Sequence, residues 1–207
     1  MKIISIEKYK GKSYRLILDN DEHIYINVDV LAEFGFREDT DYSMEEIEEA
    51  VYANLKRKAK QRALYLISYR DHSYMELYEK LKKTYKEQIA TEISDKMVDL
   101  GFIDDEKYAR RLIQNYWNTK RFGMRRIKFE LSKKGIDKHL IEDLLYEIDP
   151  DEAQDKIREV IEKKYYRNLE DEKGVQKVIS ALARMGHNYS DIRAVIRELT
   201  DDEYRYY

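Results

Sequence analysis

Four residues near the middle of the chain, Arg125, Arg126, Phe129 and Lys133, place three cations and one aromatic ring at helical spacing. At about 100° per residue they share one face of a helix whose opposite face is apolar. Cations on such a face can meet phosphate groups, and an aromatic ring among them can stack on a base, which contributes about 1–3 kcal/mol per base. The alternative is that Phe129 packs on a neighbouring repeat or on a protein partner, and the pattern leaves both interpretations open.

The segment around these residues is strongly basic. Residues 107–134 contain ten basic residues and one acidic residue, Glu130, a local charge of +9, whereas the whole chain has a formal net charge of −3. Local fields govern association with a polyanion, although charge runs are also common on solvated helix faces. The candidate contact residues for DNA or for an acidic surface of a protein partner are Arg110, Arg111, Lys120, Arg121, Arg125, Arg126, Phe129, Lys133 and Lys134.

Signals for catalysis, metal binding and cofactors are weak throughout the chain. The four histidines lie far apart, none forms the HExxH pattern of a zinc site, and no glycine-rich phosphate loop is present. The chain has no cysteine, which excludes disulfides and thiolate metal sites. The acidic residues at 104–106 are expected in the first turn of a helix because of its macrodipole. We therefore expect a non-enzymatic protein without catalytic residues, metal or cofactor.

One helical unit of about fifty residues occurs three times. The apolar pattern around Ile127 and Leu131 recurs fifty-one positions later at Val178 and Leu182, and each copy ends at a glycine. An earlier copy carries Leu77 and Leu81. A repeat of this length signals stacked helical units rather than one compact enzyme fold. We expect a mainly α protein with three tandem three-helix repeats in an elongated stack.

The first 35 residues differ from the repeats. Three short runs of β-branched and aromatic residues, separated by turn residues, predict a small antiparallel β meander, followed by one helical turn that ends at Gly35. A capping box from Ser43 to Glu46 then begins a helix, which either continues to about Tyr69 or divides near residues 52–54. The predicted divisions are 1–42 for the β extension, 43–103 for the linking helix and repeat one, 104–149 for repeat two, and 150–207 for repeat three and its tail.

Local signals also place the helix ends within the repeats. His187 stands just before a predicted helix cap and is expected to pack rather than to bind a metal, and Trp117 is expected to anchor the end of the preceding helix. Residues 201–207 are expected to fray. The predicted helix starts are Ser73, Asp104, Asp137 and Pro150, and the predicted ends are Gly101, Gly135 and Gly186.

Composition excludes two classes of protein. Charged residues make up 39% of the chain and hydrophobic residues 43%, which is too apolar for a disordered protein and too charged for a membrane protein. The chain starts without a signal-peptide pattern, and no run approaches the roughly 18 apolar residues of a spanning helix. We expect a cytoplasmic protein without a membrane partner.

Several segments resemble the RecX family, whose members regulate the RecA recombinase. The resemblance rests on four runs, at 73–77 (SYMEL), 100–109 (LGFIDDEKYA), 122–127 (FGMRRI) and 130–136 (ELSKKGI). Together they cover roughly residues 60–200, in the order and spacing of the family. A turn in repeat one that often reads Lys-Gly-Tyr in the family is Lys83-Thr84-Tyr85 here, which indicates a differently built turn.

This resemblance implies a monomeric, non-enzymatic regulator that binds RecA and lies along the RecA filament on single-stranded DNA. It also implies inhibition of recombinase, ATPase and coprotease activity in homologous recombination, DNA repair and the SOS response. Direct contact with single- or double-stranded DNA would accompany RecA binding. Two alternatives stay open, a stand-alone nucleic-acid-binding helical repeat protein and a protein–protein adaptor without DNA contact.

Overall fold

The computed structural model describes residues 1–203, so residues 204–207 of the segment expected to fray lie outside the described part. The strands are β1 Lys2–Lys10, β2 Ser13–Leu18, β3 His23–Asn27 and β4 Thr40–Asp41. The helices are α1 Val28–Phe34, α2 Met44–Tyr69, α3 Tyr74–Lys82, α4 Glu87–Asp99, α5 Asp105–Gln114, α6 Met124–Lys133, α7 Lys138–Tyr146, α8 Pro150–Lys164, α9 Glu172–Arg184 and α10 Tyr189–Glu203. A π-helical turn, Asn115–Thr119, follows α5, and a 3₁₀ turn, Tyr166–Leu169, follows α8.

The predicted fold class is confirmed, with three three-helix repeats behind a small antiparallel sheet. The strand order is β3-β2-β1-β4, and the meander accounts for the first three strands. The fourth strand pairs Asp41 with Lys2 and Thr40 with Ile3. It was not predicted, because two residues are too few to show the alternation that identifies a strand.

The predicted caps are present at the expected residues. Ser43 accepts a hydrogen bond from the Glu46 N–H, and the Glu46 carboxylate accepts one from the Ser43 N–H. This box begins a single unbroken helix α2, so the alternative of two helices divided near residues 52–54 is wrong. Asp104 and Asp137 cap α5 and α7 through their side chains, as their positions predicted.

The described residues form two compact units. The first contains Met1–Arg70 and Leu77–Phe102. In this unit the inner faces of the strands, α1 and the first turns of α2 share one core, so the sheet is fixed to the beginning of α2. Its buried residues are Ile3, Leu16, Leu18, Ile26, Val30, Phe36, Ile47 and Ala50.

The second unit contains Asp71–Glu76 and the chain from Ile103 onward. Repeats two and three each have a hydrophobic cluster of their own. Ile127 and Leu131 are buried in the first cluster, and the corresponding Val178 and Leu182 are buried in the second. The periodicity of the sequence therefore identified the inward face of both middle helices.

The middle helices of repeats two and three, α6 and α9, meet end to end. The Gly123 N–H donates to the Met185 carbonyl oxygen at 2.9 Å, and the Arg125 N–H donates to the Gly186 carbonyl oxygen at 3.2 Å. The two carbonyls that directly follow α9 thus accept from N–H groups at the start of α6, which has no side-chain cap. A Cβ at Gly123 would lie 2.3 Å from the Gly186 backbone, so this approach requires glycine.

The other end of α6 meets the first turn of α3 inside the same unit. The Ser73 hydroxyl donates to the Lys134 carbonyl oxygen at the end of α6. Ser73 also accepts from the Glu76 N–H at 3.1 Å, which completes the predicted capping box of α3. Both ends of α6 are therefore held by backbone or cap groups of neighbouring repeats, and the residues on its outer face have a rigid support.

Candidate nucleic-acid interface

One surface of repeat two carries aromatic rings and cations in alternation. The Lys120 Nζ lies 4.9 Å from the ring centroid of Tyr116 and 5.7 Å from that of Phe122. The Arg126 Cζ lies 5.6 Å from the centroids of both Phe122 and Phe129. The Lys133 Nζ lies 5.3 Å from the Phe129 centroid. We call this set the cation–aromatic ladder, and its residues are Tyr116, Lys120, Phe122, Arg126, Phe129 and Lys133.

Two elements position the ladder. Arg126, Phe129 and Lys133 lie on α6 at spacings of three and four residues, which places them on one face. Tyr116 belongs to the π-helical turn, and Phe122 follows it in the connection to α6. The Phe122 N–H donates to the Tyr116 carbonyl oxygen at 3.0 Å, and the two ring centroids lie 5.9 Å apart. The π-helical turn therefore brings a second segment of chain to the face of α6.

The cations of the ladder are partly ordered before any ligand binds. An exposed cation–π contact contributes about 0.5–1 kcal/mol, so each ring restrains its neighbouring cation. A long Lys or Arg side chain otherwise loses up to about 2 kcal/mol of rotamer entropy when it is fixed in a complex. The arrangement lowers this cost for a ligand that follows the ladder.

Phe129 is the ring of the ladder that is open to solvent. It is 53% exposed, whereas Tyr116 is 6% exposed. Among the described residues only the cations of its own helix lie over Phe129, and about half of the residue stays accessible to a base or to an apolar group of a partner. The ladder thus combines one open ring with flanking cations, an arrangement suited to a single-stranded nucleic acid.

Four of the predicted contact residues lie in ion pairs with acidic side chains from other elements. Arg110 donates to Glu147 at 2.6 Å and 2.9 Å and to Glu106 at 2.9 Å. These bonds, that to Glu147 first, raise the pKa of Arg110. The other three pairs are Arg111 with Asp71, Arg121 with Glu159 at 2.7 Å, and Lys134 with Glu76 at 2.9 Å.

Four other predicted contact residues lie on the outer face of α6 or in the segment that precedes it, and none of them pairs with an acidic side chain of another element in the described part of the chain. Lys120, Arg125 and Lys133 have no carboxylate within 4.0 Å among the residues that the structure describes. Arg126 pairs with Glu130 of its own helix at 2.6 Å. Among the predicted contact residues, the three cations without an acidic partner lie on the outer face of α6 or precede it along the chain.

The local charge of +9 is therefore an overestimate of the available charge. Lys128 is also paired, with Glu142 at 2.7 Å. Six of the ten basic residues between 107 and 134 have acidic partners, and for five of these six the partners lie outside that segment. A count within the segment cannot include acids that only tertiary packing brings close. Because exposed ion pairs contribute about 0–1 kcal/mol, phosphates can still compete for these cations.

Sequence reasoning missed Tyr116 and Phe122 as parts of this surface. Their signal is weak, because Tyr116 follows the apolar pattern of α5 and is largely buried, and the position of Lys120 over its ring is not visible in the sequence. The recurrence of aromatic residues at 116, 122 and 129 among cations was the pattern that could have found them.

His187 and Trp117 are buried at the joint between repeats two and three. The His187 Nε2 lies 3.0 Å from the Arg121 carbonyl oxygen, and burial lowers the pKa of His187. Trp117 is 5% exposed in the core of repeat two, as its position predicted.

The described residues contain no group of three or more acidic, His or Cys side chains that could hold a metal ion. Within residues 1–203 no helix is long and apolar enough to cross a membrane.

Comparison with known proteins identifies each repeat. Three family models match, described as the first three-helix domain of RecX at residues 59–97, the second at 104–145 and the third at 151–196. The chain is 30% identical over 205 residues to the regulatory protein RecX of Streptococcus sanguinis, covering 98% of this chain and 79% of that protein. It is 28% identical over 207 residues to the RecX protein of Clostridioides difficile, covering 98% of each chain.

Solved structures agree with this assignment. A crystal structure described as regulatory protein RecX superposes with a TM-score of 0.70 at 26% identity, covering 94% of this chain and 98% of that one. The crystal structure of RecX from Lactobacillus salivarius superposes with a TM-score of 0.66 at 31% identity, covering 72% of this chain and 98% of that one. With three matched domains, relatives at 30% identity over nearly the whole chain and a shared fold, the chain belongs to the RecX family of regulatory proteins.

Proposed function

We propose that this protein binds RecA and its filament on single-stranded DNA, and inhibits the recombinase, ATPase and coprotease activities of RecA. Membership of the RecX family supports a regulatory role. The observation that carries the proposal is the cation–aromatic ladder, where the exposed ring of Phe129 lies beside Lys133, which has no acidic partner among the described residues, and Arg126, which pairs only with Glu130 of its own helix. A filament of protein on DNA offers phosphates and acidic side chains together, and the ladder suits both.

The proposed contact has two parts. Lys120, Arg125 and Lys133 meet phosphates first, because no carboxylate among the described residues competes for them. Phe129 then stacks on a base or on an apolar group of RecA. The paired cations, such as Arg110 and Arg121, exchange their own carboxylates for phosphates or for acidic groups of RecA at small cost, since exposed pairs are weak.

The test is a titration of RecA ATPase and strand exchange with the protein and with a charge-reversed variant. Arg125→Glu, Arg126→Glu and Lys133→Glu together reverse the outer face of α6. We expect this triple variant to lose inhibition while its helicity and thermal midpoint stay unchanged, because all three side chains are exposed. The matched control reverses Lys8, Lys10 and Lys12, three exposed lysines at the end of β1 and in the turn that follows it, and changes the net charge equally.

The outcomes separate the interpretations. Inhibition that survives in the folded α6 variant would remove the ladder from the interface. Equal loss of inhibition in both variants would indicate a dependence on total charge rather than on this surface. Loss in the α6 variant alone supports the proposal.

A stand-alone nucleic-acid binder is the second candidate, and the exposed face of Phe129 beside free cations favours it. It requires measurable affinity for single-stranded DNA in the absence of RecA, falling as salt rises. No binding at low salt would exclude it. A protein adaptor without DNA contact would instead bind RecA equally well with and without DNA.

A further inference from the structure

A cleft of about 280 Å³ lies at the joint between repeats two and three, inside the second compact unit. Pockets for drug-sized ligands occupy roughly 300–1,000 Å³, so this cleft has room for one planar group rather than a whole nucleotide. Gly123 lines it and directly follows Phe122 of the ladder. Six of the side chains that line the cleft are Trp117, Met124, Gln154, Ile157, His187 and Asn188.

Trp117 leaves a hydrogen-bond donor unused. Its Nε1 is buried and has no acceptor among the described residues. A buried indole N–H usually has a partner, because its loss of water is otherwise uncompensated. Trp117 also lies in the π-helical turn, a type of irregularity that often marks a functional site. Trp117 therefore lines the cleft and carries a donor that has no acceptor among the described residues.

His187 supplies the complementary acceptor. A carbonyl oxygen only accepts, so the contact with Arg121 assigns the proton of the ring to Nε2. Burial lowers the pKa of His187 and favours the neutral ring. Its Nδ1 is then a bare acceptor, and no donor among the described residues bonds it.

The rest of the lining combines apolar faces with two amides and the carboxylate of Asp191. Met124 and Ile157 offer apolar surface, while Gln154 and Asn188 offer one donor and one acceptor group each. Asn and Gln side chains form paired hydrogen bonds with adenine edges in known protein–DNA contacts. A small planar ligand with apolar faces and alternating donors and acceptors at its edge matches this lining.

We propose that the cleft receives one unstacked nucleobase of the single strand that the ladder holds. The position of the strand rests on the proposed function, whereas the chemistry of the cleft stands without it. Lys120 and Arg121 precede Phe122 and Gly123, so the sugar–phosphate backbone would follow cations to the mouth of the cleft. The base inside it would leave the stack, as bases recognised on single strands commonly do.

The single tryptophan of the chain makes the test specific. The isotope-labelled full-length protein has one indole N–H resonance, and unlabelled DNA is invisible in the same spectrum. We expect this resonance to move when a short oligodeoxyadenylate binds, and to stay in place when an abasic strand of equal length binds through its phosphates. Free adenosine, which carries no phosphate, is titrated in parallel and is expected to move the same resonance.

Gln154→Ala tests the lining itself. Loss of one paired hydrogen-bonding contact should weaken adenosine binding about tenfold. Gln88→Ala, at an exposed position of α4, is the matched control and should leave adenosine binding unchanged. Thermal unfolding of both variants checks that the joint is intact.

Three results would overturn the proposal. The first is an indole resonance that stays in place with both adenosine and oligodeoxyadenylate. The second is a resonance that moves as far with the abasic strand as with oligodeoxyadenylate. The third is a resonance that moves when unlabelled RecA is added without DNA. The last result would assign the cleft to a protein side chain. If adenosine binds but neither strand does, the cleft is real and the proposed DNA contact of the ladder is wrong, so the two failures are distinguishable.

Discussion

Arg126 and Glu130 form an ion pair one helical turn apart, with the guanidinium 2.6 Å from the carboxylate. The same guanidinium lies between the rings of Phe122 and Phe129, 5.6 Å from each centroid. Glu130 is the one acidic residue among the ten basic residues of its segment. Glu130 therefore pairs with the central cation of the ladder, and its carboxylate competes with any phosphate that approaches Arg126.

Replacement of this competitor should strengthen DNA binding. We expect Glu130→Gln to raise affinity for single-stranded DNA several-fold, and to steepen the log–log dependence of affinity on salt by about 0.7, the value for one more phosphate contact. Fluorescence anisotropy at several salt concentrations measures both. Glu142→Gln removes an equal charge beside Lys128, outside the ladder, and is the control. An equal gain in both variants would indicate a general charge effect.

The salt dependence of the unaltered protein is also predicted. Three cations at or beside the ladder, Lys120, Arg125 and Lys133, have no acidic partner among the described residues. Three phosphate contacts on a single strand correspond to a slope of about −2. A slope near −6 would mean that the paired cations also release their carboxylates and engage DNA.

Phe129 should contribute to DNA binding through stacking of its ring on a base. We expect Phe129→Ala to weaken binding to a base-containing single strand about tenfold, within the usual range for stacking. The free energy of unfolding should fall by no more than about 1–2 kcal/mol, because the ring is 53% exposed and its loss removes two exposed cation–π contacts. Phe102→Ala, which removes an equally exposed ring outside the ladder, should leave DNA affinity unchanged. Equal affinity of Phe129→Ala and the unaltered protein would mean that no base stacks there.

Gly186 should be essential to the joint between α9 and α6. It has φ 92°, and a Cβ there would lie 2.4 Å from the Arg126 backbone nitrogen. Gly186→Ala should cost more than the roughly 1–2 kcal/mol of a left-handed alanine, because the backbone of α6 must also move. Gly101→Ala is the control, since its φ is 71° but its Cβ would meet nothing within 4 Å. Urea denaturation measures both, and equal losses would show that the joint tolerates a methyl group.

Stability should decrease on mild acidification because of His187. Burial lowers the pKa of His187 in the folded state, while the carbonyl of Arg121 and the charge of Asp191 oppose this shift. The unfolded chain therefore takes up a proton first, so stability is full above the ordinary pKa of about 6.5 and falls as pH drops below it. His187→Gln should reduce this slope, and His139→Gln, at an exposed site, should not. A pH-independent free energy of unfolding between pH 7 and 5 would contradict the prediction.

The sequence by itself determined the repeats and most helix ends. Helix caps at Ser43 with Glu46, at Asp137 and at Gly135 involve groups only a few positions apart. Their residue types therefore predict the caps directly from the sequence. The spacing of Ile127 and Leu131 likewise identified the buried face of α6. Each of these signals depends on local geometry that a helix repeats every turn.

Tertiary structure decided which cations are available. Arg110 is bound by Glu147, thirty-seven positions away, and Arg121 by Glu159 of repeat three. Tyr116 and Phe122 join the ladder only because the π-helical turn brings them beside α6. These partners depend on how the helices pack. The sequence around a charged or aromatic residue does not indicate which distant residue it will contact.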